Sequence, residues 1–495
     1  MSIKATLNRL NEIAKQQPLV GMITYTVLGF LRPAVYLFLV PFYTRHLSTE
    51  EFGLYDLMLV VSGFAMIVVG LRLSSGMLTF YYNYIDDRAK QKQYLSSTFT
   101  ATMLISICIL TIMFFIGPDV FRIIFKSDEV KFMPFGFTVF LYACMTEMGM
   151  IYYTFLKNEK DLVRYSSLIF IQVISVTIFQ VLLISVFDMG VQGALLGMVF
   201  GWFFVLVAVL FFEKGLLTFN VNWDMVKATL KFSLPLIPYL LIYWLLVKGG
   251  RIFLEKYSTL EAVGLFAMIM TLSRLIILGI EAIVNGVRPF LFDQFALRDR
   301  GDLKQIGLLT NMIIIVPLIT IPVIIFVGSH ISWITGDVAY VAISPYMTLS
   351  CLVVFVFLYV KLFYQQLVFS KRSDLATILS FVALIFLVSG FMYWIPYYGI
   401  WGVLYATLLA NIVLSVLFYV AGQKVLPVSY DYKTIFVYPI LIFLIAFILE
   451  WWMIKSGFSY SAFGIVQLII LGLFIIVVNW NSVKDYKLVF MNRNK

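Results

Sequence analysis

Charge is scarce in this chain, and long polar stretches are missing. Asp, Glu, Lys and Arg make up 13% of 495 residues, 62% are hydrophobic, and the mean hydropathy is +0.97. Those values exclude a water-soluble globule. No loop is long enough to hold a soluble catalytic domain, and no Gly-x-x-x-x-Gly-Lys-Ser/Thr occurs, which speaks against direct use of ATP. The three cysteines, Cys108, Cys144 and Cys351, sit in apolar runs and read as core packing, without disulfide or metal spacing. The two histidines, His46 and His330, lie far apart near span ends, so neither a metal nor another cofactor is expected.

The alternation of a membrane barrel is absent as well. In its place stand about 14 apolar runs of roughly 20 residues, from Thr24 almost to Trp480, each able to cross about 30 Å of hydrocarbon as a helix. The fold class is therefore an all-α polytopic membrane protein. The net charge of +10 would suggest nucleic acid in a soluble protein, but topology accounts for it here. Of 36 Lys and Arg, 23 fall in the termini and alternate loops, 7 in the opposite loops and 6 inside or at the ends of spans. That asymmetry puts both termini in the cytoplasm and leaves the bilayer, not nucleic acid, as the partner.

Residues 1–18 have no apolar core before a cleavage site, so they are not a signal peptide. Ile3, Leu7, Leu10 and Ala14 instead mark an amphipathic segment at the inner interface. Proline in the first span, at Pro33 and Pro41, suits a helix that bends or lines a cavity. Ser48 or Thr49 can cap the second span, with Glu50 or Glu51 in its first turn.

Charges inside the apolar runs are the main functional signal. Arg274, Glu281, Asn285 and Arg288 recur at i, i+7, i+11 and i+14, one face of a helix. Facing lipid, each charge would cost about 2.5 to 3.5 kcal/mol, so the stripe should face protein or a watery cavity, as the wall of a transport path. An Arg274/Glu281 pair that only holds helices together is the alternative. A second stripe, Arg72, Ser75, Gly76, Thr79 and Asn83, is expected to continue the second span. Arg32 and Lys361 lie deep in the first and tenth spans, and Glu147 and Glu281 are the acids placed near mid-membrane, where either could couple ions.

The chain also repeats itself. Ser258-Thr259-Leu260-Glu261-Ala262-Val263-Gly264 echoes Ser48-Thr49-Glu50-Glu51-Phe52-Gly53; Gly399-Ile400-Trp401-Gly402 echoes Gly190-Val191-Gln192-Gly193; Asp374-Leu375 echoes Asp161-Leu162. Ordered matches at nearly one offset indicate a six-span unit used twice, and an even number gives both halves the same orientation. The expected divisions are an amphipathic segment 1–18, a first lobe 19–222, a second lobe 223–424, and two additional helices with a cytoplasmic tail, 425–495.

Repeat, span number and link sequences resemble the polysaccharide-repeat-unit (Wzx-like) flippases of the multidrug/oligosaccharidyl-lipid/polysaccharide exporter superfamily. The carriers are Pro41-Phe42-Tyr43-Thr44-Arg45 with Leu47-Ser48 and Glu51-Phe52-Gly53-Leu54-Tyr55, and Lys231-Phe232-Ser233-Leu234-Pro235-Leu236-Ile237-Pro238. The resemblance implies two six-helix lobes around a cavity of alternating access in the bacterial cytoplasmic membrane. It also implies a polyprenyl-diphosphate-linked oligosaccharide as substrate, for O-antigen, lipopolysaccharide or capsule, with polysaccharide polymerase and chain-length machinery as partners. Where that family commonly has Gly-Asp-Arg after the seventh span, this chain has Gly249-Gly250-Arg251, which leaves Arg251 without its neighbouring acid.

Six cations in or at the ends of spans, Arg32, Arg72, Lys248, Arg274, Arg288 and Lys361, against the two deep acids favour an anionic passenger. Arginine suits a diphosphate because its fork meets two oxygens. Two alternatives remain: a multidrug cation antiporter of the same superfamily, which would need acidic and aromatic walls, and a membrane polysaccharide polymerase or ligase, which would need a long outer catalytic loop.

Overall fold

Short polar links start the helices and apolar length carries them across. Ser48 caps the second span in a complete capping box: its side chain accepts from the Glu51 N–H at 3.2 Å while Glu51 accepts from the Ser48 N–H at 2.8 Å. Asp87, Asp161, Asn222 and Thr259 cap the third, fifth, seventh and eighth spans in the same way, each accepting from the N–H three residues on.

In the computed structural model, residues 18–473 are described apart from 215, 217–220, 278–302, 429, 458 and 461. Eleven helices among them are long and apolar enough to cross a membrane. With the first span, Pro18–His46, the ninth, Leu303–Ser329, and the last, Ala462–Leu473, there are 14 in the expected order. The others are Thr49–Gly70, Arg88–Ile124, Phe132–Glu159, Leu162–Val186, Gly190–Phe212, Trp223–Lys248, Leu260–Ile277, Val338–Phe369, Asp374–Tyr398, Ile400–Val425 and Lys433–Lys455. The protein is a multi-pass membrane protein.

The repeat is visible in the backbone. The fourth and tenth spans are each followed by a lysine in the left-handed region, Lys160 (φ 55°) and Lys371 (φ 57°). The sixth opens on a glycine there, Gly190 (φ 50°), and the twelfth is preceded by one, Gly399 (φ 53°), a conformation that glycine adopts without strain. Three residues on, Gly193 and Gly402 let their helices approach the carbonyls of Leu183 and Trp394 at 3.0 and 2.5 Å from where a Cβ would stand.

Packing divides the chain into two compact units, 1–264 and 265–495. In the first, the fourth span packs on the second, third and sixth, and the sixth on the fifth; in the second, the tenth packs on the ninth and twelfth, and the twelfth on the eleventh. One end of the first unit is tied by ions: Arg88 pairs with Glu159, and Lys92 (3.2 Å) and Arg164 (3.2 Å) both reach Glu213. The third to sixth spans are thereby joined at their basic ends.

Two expectations change here. Cys108 is exposed, on the outer surface of the third span, whereas Cys144 and Cys351 are buried. The stripe beginning at Arg72 does not continue the second span, because Leu71 (φ 43°) and Arg72 (φ 56°) are both left-handed and a separate helix, Leu73–Phe80, starts beyond them. The spacing was helical, yet two residues outside the helical region reset the face.

Candidate functional site

Arg32 sits one residue before Pro33 in the first span, on an aromatic shelf built by two other spans. Its guanidinium carbon lies 4.9 Å from the ring centre of Tyr153 and 5.5 Å from that of Trp202. The two rings meet edge to face at 5.7 Å and are buried. Gly149 makes the shelf possible, because a Cβ there would collide with the Trp202 indole. Such cation–π contacts contribute about 0.5 to 2 kcal/mol.

The shelf does not satisfy the guanidinium. Nε and Nη2 of Arg32 are buried without a hydrogen-bond partner among the described residues, as are the Trp202 Nε1–H and the Tyr153 hydroxyl. Each unpaired buried donor costs about 1 to 3 kcal/mol, so the cluster is suited to an acceptor-rich, negatively charged group. Lys157, one turn beyond Tyr153, lies 5.4 Å over the ring of Tyr165, which meets Tyr153 edge to face at 5.4 Å. Arg32 and Lys157 thus share one aromatic wall in the first unit.

The first unit also holds Arg72 and Glu147. The Glu147 carboxyl occupies the place where a Cβ on Gly70 would stand, at the end of the second span, two residues before Arg72. In the second unit, Arg274 is half-buried on the eighth span, and the adjacent Ser273 donates to the Ser350 hydroxyl on the tenth at 3.1 Å. Lys361 lies 5.3 Å from the ring centre of Phe357, one turn earlier. Glu281, Asn285 and Arg288, and with them the rest of the Arg274 stripe, lie outside the described residues.

Arg251 does have an acid. Asp56 on the second span forms a buried salt bridge with it, the two side chains 3% and 2% exposed, replacing the missing neighbour at Gly250 with a carboxylate 195 residues away. Arg251 belongs to a link helix, Gly250–Tyr257, whose next turn carries Glu255. The Glu255 carboxylate accepts from the backbone N–H groups of Lys126 (2.9 Å) and Ser127 (2.7 Å), just past the third span. One short helix therefore grips two spans of the first unit. A cleft of about 250 Å³, lined by Glu50, Lys126, Ser127, Glu255 and Thr259 among others, opens beside it.

Two acids inside spans thus add to Glu147 and Glu281: Asp56, and Glu450, which is buried in the thirteenth. Asp56 was visible as a lone acid in the run Phe52-Gly53-Leu54-Tyr55-Asp56-Leu57-Met58, although its partner was not.

Residues 42–336 match the family described as polysaccharide biosynthesis protein. The chain belongs to that family. The fold agrees with solved structures at low sequence identity. A lipid II flippase, MurJ, in an inward closed conformation shares 14% identity at a TM-score of 0.69, over 93% of this chain and 100% of that one. An inward-facing multidrug resistance transporter of the MATE family and MOP superfamily shares 15% at 0.62, over 82% and 97%. A MOP superfamily transporter from Pyrococcus furiosus, described as having a binding pocket of reverse polarity, shares 14% at 0.56, over 84% and 94%. No curated protein matches in sequence.

Proposed function

We propose that the protein is a flippase that carries an oligosaccharide on a polyprenyl diphosphate across the bacterial cytoplasmic membrane for polysaccharide assembly. The carrying observation is Arg32, a guanidinium held on two rings with Nε and Nη2 unpaired among the described residues. A diphosphate supplies several charged acceptors to such a fork, and the aromatic faces beside it suit sugar rings. Membership of a polysaccharide biosynthesis family supports the same cargo. Arg72, Arg274 and Lys361 are the further cations assigned to the head group, with Glu281, Asn285 and Arg288 on the stripe that Arg274 begins.

The transport cycle follows from the lobes. With the termini in the cytoplasm, the grip of helix Gly250–Tyr257 on the second and third spans lies on the outer side. Outward opening then requires Arg251 to leave Asp56 and Glu255 to leave Lys126 and Ser127.

The binding step is tested by thermal unfolding of the purified protein with polyprenyl-diphosphate oligosaccharide. A ligand at 100 times its Kd stabilises by about 2.7 kcal/mol. The same lipid with a neutral head, and Arg32→Gln with the diphosphate, are expected to give little or no stabilisation. Equal stabilisation in all three refutes the assignment, and stabilisation only by organic cations favours a drug exporter.

A further inference from the structure

The second span stops at Gly70 without a proline, and the left-handed positions that follow it are not the glycine but the two residues beyond. Leu71 and Arg72 are consecutive non-glycine residues at φ 43° and 56°, a conformation that L-residues avoid and that persists only where surroundings impose it. What lies against this break is an acid. The Glu147 carboxyl packs on Gly70 so closely that any side chain there would displace it.

Glu147 is half-buried in the fourth span and forms no hydrogen bond or ion pair among the described residues. Arg72 is close enough to act on it electrostatically but stays outside ion-pairing distance, and the Arg72 Nε is itself buried without a hydrogen-bond partner among the described residues. On its own helix Glu147 is within electrostatic reach of Tyr142 and Cys144, and Arg32 of the first span reaches Tyr142. The third and sixth spans, which also pack on this helix, have no charged residue from Tyr94 to Pro118 or from Gly190 to Phe212. Glu50, Glu51 and Asp56 of the second span lie at its opposite end, Asp56 paired with Arg251, and Arg164 of the fifth is paired with Asp161 and Glu213. Arg72 is therefore the charge that answers Glu147.

We propose that the carboxyl of Glu147 is a reversible proton site coupled to the break in the second span at Leu71–Arg72. The last turn of a helix presents unpaired carbonyls and the negative end of its dipole. A protonated carboxyl can donate to those carbonyls, whereas a carboxylate is repelled by them. Ionisation therefore pushes Glu147 from the Gly70 terminus and draws Arg72 toward it, which moves the backbone of the left-handed pair. The proton is exchanged with water, and no bond other than O–H is made or broken. Helix Leu73–Phe80, packed on helix Trp223–Ser233, moves with Arg72.

The test needs no substrate, so its failure and that of the flippase reading are separate. Amide hydrogen exchange of the whole protein in lipid nanodiscs is followed across residues 66–80 at mildly acidic and mildly alkaline pH, corrected for intrinsic exchange. In the wild type, protection at 70–76 changes about tenfold, the ratio one pKa unit of coupling produces. Glu147→Gln holds the acid-side value at both pH values, and Arg72→Gln reduces the response. An equal pH response in Glu147→Gln and wild type overturns the proposal, as does no response in the wild type. A change driven by sodium at fixed pH assigns the acid to a metal cation and overturns the proton reading.

Discussion

Gly53 and Gly264, 211 residues apart, lie backbone to backbone, and the contact is reciprocal. A Cβ on Gly53 would collide with the carbonyl oxygen of Leu260, and one on Gly264 with that of Thr49, itself 211 residues from Leu260. The same two positions of the repeat meet each other, so the openings of the second and eighth spans cross as closely as two backbones can. Small residues permit such crossings in membranes because van der Waals contact, and no hydrophobic force, holds helices together there.

Gly53→Ala and Gly264→Ala are each expected to lower stability by about 1 to 3 kcal/mol, the range for overpacking. Thermal unfolding in nanodiscs measures it. Because the residues share one contact, the double variant should lose less than the two single losses added together. Full additivity would mean that the two glycines act separately.

Asp56 and Arg251 make a second prediction. Truncating one partner strands a buried charge, so Asp56→Ala or Arg251→Ala should lose about 3 to 5 kcal/mol. Asp56→Leu combined with Arg251→Met should recover most of that loss, because neither charge is then left alone. A double variant as unstable as the singles would remove the pair from the account.

Glu255, in the link between the seventh and eighth spans, gives a pH dependence. Burial pushes its carboxyl above the ordinary 4.5, against the opposing pull of the Ser127 and Lys126 N–H groups. A raised folded value means the native state holds the proton more tightly than the unfolded chain. Stability therefore falls as pH rises from the ordinary value through the raised one and is flat above it. Glu255→Gln should lack that slope, and the difference between the two stability–pH curves isolates it.

Much of this was legible in the sequence, and the limits have physical causes. Span positions follow from length and apolarity, the Ser48/Glu51 cap from local spacing, and the repeat from glycines that the backbone needs at Gly190 and Gly399. Local rules failed at Leu71–Arg72, where neither residue type favours a left-handed backbone, so Arg72 read as one more turn of helix. Arg251 read as lacking its neighbouring acid because that acid comes from another span, and no spacing rule reaches across 195 residues. Arg32 was legible as a deep cation, but its aromatic shelf is assembled from the fourth and sixth spans, each apolar for other reasons as well.

The central claim, a cationic path for a lipid-linked diphosphate, is tested most directly by transbilayer movement of a fluorescent polyprenyl-diphosphate oligosaccharide in vesicles. Wild type is compared there with Arg32→Lys, Arg32→Ala and Arg274→Ala. Movement is expected in the wild type, with its loss in both alanine variants at normal protein abundance and a loss of at least about tenfold in Arg32→Lys, since an ammonium lacks the fork and ring stacking of a guanidinium. Full movement in the alanine variants, or none in the wild type while a cationic dye is exported, would contradict the cationic path.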